Sequence, residues 1–164
     1  MDQELTELSV QQLIDCDKDN FGCDGGWMYE GFEYVSKHGL LTKRDYHAYA
    51  HRKLSCSVTD RELDHLKHIK DIGYIEHDGR TNEELRALVA ERPVSAGMRT
   101  TGSLSSYHSG ILTENYLRCS SSNNEVNHGI LIVGYGTVEP NERVFGRGCR
   151  EYWVVRNSWG SNWG

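Results

Sequence analysis

Proline occurs only twice in the 164 residues, and no apolar run approaches the roughly 18 residues needed to cross a bilayer. Turns must therefore rely on the 17 glycines, which reach positive φ without steric cost. Basic charge is in short supply, with 18 Lys and Arg against 24 Asp and Glu. The net charge of −6 has the wrong sign for gathering phosphates, so neither nucleic acid nor a membrane is an expected partner. The N-terminus, MDQELTELS, lacks the basic start and apolar stretch of a signal peptide, leaving either an intracellular chain or a processed piece of something longer. There is no Asn-x-Ser/Thr site and no Cys-x-x-Cys pair. The five cysteines, at 16, 23, 56, 119 and 149, are odd in number, so the spacing writes neither a zinc knuckle nor a closed disulfide set.

What is there argues for a globular fold of one domain or two small lobes: 37% hydrophobic residues, 10% aromatic and four Trp. Ser9 followed by Gln12 fits a capping box and predicts a helix near residues 10–15 with Leu13 and Ile14 turned inward. Met28, Phe32 and Val35 recur at helical spacing, predicting a helix over 27–37 that Gly39 stops. Thr81 with Glu84 caps a third, NEELRALVAER, which must finish before Pro93.

From Pro93 the character changes. PVSAGM, EVNHGILIVGYG and REYWVVRNSWG are β-branched or aromatic runs bounded by glycine and read as strands. VEPNERVFGRGC reads as a long hairpin loop between the last two, and residues 100–109 and 120–124 as loops. Helices first and strands after give an α+β chain, with residues 1–75 helical and 76–164 β-rich.

His128 opens one of these strands and Asn157 closes its hairpin partner, so antiparallel pairing would set them side by side. An amide oxygen beside an imidazole can hold the ring in one tautomer, the task of the third member in Cys-His-Asn hydrolysis. Trp159 could cover that bond from water. His47 and His51 at i, i+4 and His65 and His68 at i, i+3 could chelate a metal from a helix, against the plainer reading of solvated side chains.

LSVQQLIDCD, GCDGGWMYEGFEYV, NEELRALVAERPVSAGM, YHSGIL, VNHGILIVGYG and YWVVRNSWGSNWG, taken in this order, resemble the papain-like cysteine proteases, to which the lysosomal cathepsins belong. The resemblance implies a helical lobe and an antiparallel barrel-like β lobe, here incomplete at both ends. It places His128 on the general base, Asn157 on the residue that orients it, and Trp159 on the indole that shields the pair. Gly25 and Gly26 fall on a cleft wall that pairs with extended peptide through its backbone, where a Cβ would obstruct close approach. Trp27, Met28, Gly97, Val126 and Gly129 match the lining of a pocket for a bulky apolar side chain. Asn127 matches a position whose backbone faces substrate.

By the same resemblance Cys16 pairs with Cys56, while Cys23 and Cys119 are half-cystines whose partners lie outside these 164 residues. Cys149 has no counterpart. Nothing in the chain matches the QxxCGSCW-like block that carries the nucleophile, so the expectation is a partial cysteine endopeptidase, inactive by itself. The alternative is a non-catalytic relative acting as a peptide-binding or structural subunit. The family implies peptide or protein substrates, a missing N-terminal segment or inhibitory propeptide as partner, no metal or organic cofactor, and a lysosomal, vacuolar or extracellular setting.

Overall fold

A computed structural model of the chain describes residues 5–69, 82–117, 126–148 and 150–164. They fall into two compact units, one within residues 1–76 and the other within 77–164. The boundary expected near residue 75, the Thr81 cap, the 120–124 loop, Cys119 and Cys149 lie outside the described residues.

In the first unit α1 spans Val10–Cys16 and α2 spans Met28–His38. Ser9 caps α1 as its type requires, its side-chain oxygen accepting from Gln12 N at 3.1 Å. The expected box is not completed, because the Gln12 side chain turns elsewhere. Its Oε1 accepts from Leu41 N (2.8 Å) and its Nε2 donates to Gly39 O (3.1 Å). Ser9 N donates instead to Leu41 O.

The inward face of α1 also departs from expectation. Gln11, Gln12, Asp15 and Cys16 are buried, whereas Leu13 and Ile14 are only half-buried. The reason lies in what the helix packs against: irregular chain whose peptide groups have no ladder and must find partners. Gln11 accepts from Ala50 N and donates to Arg52 O, and Asp15 accepts from Leu54 N. The apolar core is correspondingly small: Cys16, Leu41 and Tyr46, flanked by Tyr34, Val58 and Leu66. A Cys16–Cys56 disulfide pins it.

Gly39, at φ 74°, ends α2, and Val35 is buried on it, but Phe32 stays 42% exposed and does not join the apolar stripe. His47 and His51 do not sit on a helix; His47 Nε2 lies 3.1 Å from Asp15 Oδ2. Among the described residues no three His, Cys, Asp or Glu side chains converge to hold a metal ion.

In the second unit α3 (Asn82–Glu91) lies against an antiparallel sheet ordered β1 (Val94–Met98), β3 (His128–Thr137) and β5 (Glu151–Arg156). The registers run Met98 opposite His128 and Leu131 opposite Arg156, with an irregularity in β3 at Ile132–Gly134. The loop expected to join β3 and β5 is not plain. It contains β4 (Val144–Phe145), which pairs parallel with β2 (Ile111–Leu112). Residues 100–109 likewise contain a single helical turn, α4 (Gly102–Ser105), and α5 (Glu114–Leu117) follows β2. Val89, Leu104 and Ile132 are buried here, and the sheet is open among the described residues rather than closed into a barrel. No described helix is long and apolar enough to cross a membrane.

Candidate active site

His128 is the first residue of β3, and Asn157 follows the last residue of β5. Antiparallel pairing of those strands brings His128 Nε2 to 2.9 Å from Asn157 Oδ1. Ser158 N also donates to that oxygen, at 2.7 Å. A backbone N–H can only donate, so the atom facing Ser158 must be the amide oxygen and not its nitrogen. It follows that His128 Nε2 carries the proton in the neutral ring, and Nδ1 holds the free lone pair. Such an imidazole is set to take a proton at Nδ1 and return it. Asn157 Nδ2 is buried with no partner among the described residues.

The Trp159 indole lies over this pair, its ring centre 5.0 Å from that of His128 and tilted by 41°. It keeps 40% of its surface exposed, so the cover is partial. Two aromatic residues that the sequence reading missed hold it in place. Trp163 meets Trp159 edge-on at 5.4 Å and donates from Nε1 to Leu104 O, and Tyr107 packs on Trp163 at 5.2 Å. The four-residue spacing of the two tryptophans in SWGSNWG was the available signal for Trp163.

The other residues singled out on this unit gather at the start of β3. Gly97 and Gly129 are cross-strand partners and both are exposed, so no side chain stands on the sheet there. Val126 is exposed beside them. Asn127 donates its backbone N–H to Met98 O, and its side chain grips Thr100 through Thr100 N (2.7 Å) and Thr100 O (3.2 Å). Its side chain thus serves the loop.

Gly25, Gly26, Trp27 and Met28 belong to the first unit, where they lead into α2. Gly25 has φ 103°, a conformation only glycine adopts freely, and Trp27 is 53% exposed. Cys16 and Cys56 have no thiol to offer because they are bonded to each other, whereas Cys23 is free and exposed on the turn Gly22–Asp24.

The sequence pattern of the papain family cysteine proteases matches residues 1–164. Cysteine protease Amb a 11.0101 from Ambrosia artemisiifolia is 38% identical over 168 residues, covering 98% of this chain and 37% of that protein. Zingipain-2 from Zingiber officinale is 34% identical, covering 98% of this chain and 65% of its own length. Among solved structures, a digestive procathepsin L 3 from the larval midgut of Tenebrio molitor superposes with a TM-score of 0.78 at 31% identity, over 98% of this chain and 48% of that one. The chain thus spans well under half the length of the ragweed relative and about two thirds of zingipain-2.

Proposed function

Because the chain belongs to the papain family of cysteine proteases, we propose that it supplies the general base, the orienting amide and the peptide-receiving surface of a cysteine endopeptidase. The observation that carries this reading is the shared oxygen of Asn157, which accepts from both His128 Nε2 and Ser158 N. It fixes the tautomer that leaves Nδ1 open toward a thiol. In the reaction, Nδ1 takes the thiol proton, the thiolate attacks the peptide carbonyl, and the imidazolium returns the proton to the leaving amine. Asn157 holds the ring through both transfers, and Trp159 limits water around the bond.

None of the five cysteines stands in a block like QxxCGSCW, and Cys16 and Cys56 are already bonded. The sulfur is therefore assigned to residues other than these 164, and the chain alone is expected to be inactive. Within the first unit, Gly25 and Gly26 would pair through their backbone with an extended peptide; within the second, the Asn127 carbonyl would offer an acceptor to one. On the first unit Trp27 and Met28 favour a bulky apolar side chain, and on the second Val126 does, with Gly97 and Gly129 leaving room. Units 1–76 and 77–164 would be the helical and β-rich lobes. An inhibitory propeptide is a further proposed partner, as the procathepsin neighbour suggests. The disulfide suits a lysosomal, vacuolar or extracellular setting.

The test is to incubate the 164-residue chain with a fluorogenic apolar-arginine peptide and an epoxide inhibitor, then repeat with a CGSCW-bearing segment fused ahead of it. No turnover alone, and hydrolysis after fusion that His128→Ala lowers by about 10²–10⁴-fold, is the expected result. Labelling of one of the five cysteines with turnover by the unfused chain would overturn the assignment of the sulfur. A fused chain that binds peptide and never cleaves it would establish the non-catalytic subunit instead.

A further inference from the structure

We infer that Asn20 is a positioning residue whose side chain occupies both backbone hydrogen-bonding groups of Trp27 and so presents those of Gly26 to an incoming extended peptide. This rests on the proposed reading of Gly25 and Gly26 as the peptide-binding wall.

Trp27 is extended, at φ −110° and ψ 136°, and Gly26 precedes it at φ 152°. In extended chain the N–H and C=O of one residue face one side and those of the next face the other. Trp27 N donates to Asn20 Oδ1 at 2.6 Å, and Trp27 O accepts from Asn20 Nδ2 at 3.3 Å while also taking the first bond of α2, from Gly31 N at 3.3 Å. A carboxamide carries an acceptor and a donor side by side, so it serves this residue as a neighbouring strand would. Gly25 O is drawn inward as well, accepting from Phe21 N at 3.1 Å. The N–H and C=O of Gly26, which lie between these, have no hydrogen-bond partner among the described residues.

Asn20 is itself anchored. Its second amide hydrogen goes to Asp17 Oδ2 at 2.8 Å, and Asp17 is buried where α1 ends, its N–H bonded to Leu13 O and its Oδ1 accepting from Asp19 N. A path of hydrogen bonds thus runs from α1 through Asp17 and Asn20 to the backbone beside Gly26. It also changes the reason for the glycine at 26. A Cβ there would run into the Asn20 carboxamide, so glycine is required on the side facing Asn20. At Gly25 a Cβ would meet nothing within 4 Å, and the positive φ alone demands glycine.

The experiment combines amide hydrogen exchange with titration of the 164-residue chain by acetyl-Leu-Leu-amide, both followed by ¹⁵N NMR. Wild type should show a protected Trp27 N–H and a fast-exchanging Gly26 N–H that shifts as peptide is added. Asn20→Ala should expose Trp27 N–H and weaken the peptide about tenfold, the effect of one lost hydrogen bond. Leu41 N–H, bonded to Gln12 Oε1, should stay protected and show that the unit remains folded. Asn20→Gln keeps both the acceptor for Trp27 N–H and an amide donor for Asp17, so it should restore part of the Trp27 protection, a rescue that loss of general stability would not produce. Unchanged Trp27 protection in Asn20→Ala overturns the positioning. No Gly26 shift in the wild type overturns the peptide-binding reading, and with it the purpose assigned to Asn20.

Discussion

The first unit buries Ser9, Gln11, Gln12, Asp15 and Asp17 beside its apolar Cys16, Val35, Leu40, Leu41 and Tyr46, whereas among the described residues of the second Thr113 is the one buried polar residue beside Val89, Leu104 and Ile132. The contrast follows from where each unit finds partners for its peptide groups. In residues 77–164 the β1–β3–β5 ladder pairs the backbone with itself. In the first unit the described chain after α2, residues 39–69, holds no regular element but the 3₁₀ turns at Asp60–His65, and side chains of α1 complete it across 27 to 41 residues of sequence. One unit therefore depends on individual polar side chains. The other leaves the side chains at its strand ends free for chemistry, which is where His128 and Asn157 stand.

The largest expected effect comes from Asp15→Ala. The carboxylate is wholly buried and accepts from Gln11 Nε2, Leu54 N and Tyr46 OH, with His47 Nε2 at 3.1 Å. Its loss strands several donors and should destabilise the first unit by about 3–5 kcal/mol. Urea unfolding followed by amide exchange reads each unit separately, and equal loss of protection in both would break the comparison.

Reducing Cys16–Cys56 comes next. The bond closes a sequence separation of 40 residues, so freeing it should lower stability by about 2–4 kcal/mol. Protection should fall at Leu41 N–H and hold in the β3–β5 ladder. In the second unit, Ile132→Val trims one buried methylene and should cost about 1 kcal/mol, without changing the His128 tautomer measured by ¹⁵N NMR.

The smallest effect is confined to alkaline solution. Burial, acting first, raises the Tyr46 phenol pKa, opposed by bonding to Ser57 and assisted by Asp15. The unfolded chain then ionises before the folded one, so stability is intact below about pH 10 and is lost as pH rises through the folded value. Tyr152 is raised too, chiefly by the Glu142 charge, so absorbance titration near 295 nm should show late tyrosines, of which one disappears in Tyr46→Phe.

This contrast also explains what could be read from the sequence. Spacing located α1, α2, β1, β3 and β5, because each repeats its period over five residues or more. It misjudged the inner face of α1, since a rule that turns apolar residues inward cannot foresee a helix whose neighbours need hydrogen bonds more than contact area. A two-residue strand such as β4 and a one-turn helix such as α4 leave too short a pattern to detect. The His128–Asn157 contact was legible because an antiparallel hairpin fixes which ends meet. The tautomer was not, for it depends on the orientation of Ser158 N.

Tyr107, Trp163, Trp159 and His128 stand in a file, each ring centre 5.0–5.4 Å from the next. Aromatic rings this close couple their electronic transitions, and a protonated imidazole quenches indole emission. Near-ultraviolet circular dichroism and tryptophan fluorescence should therefore report the charge on His128 without any added label.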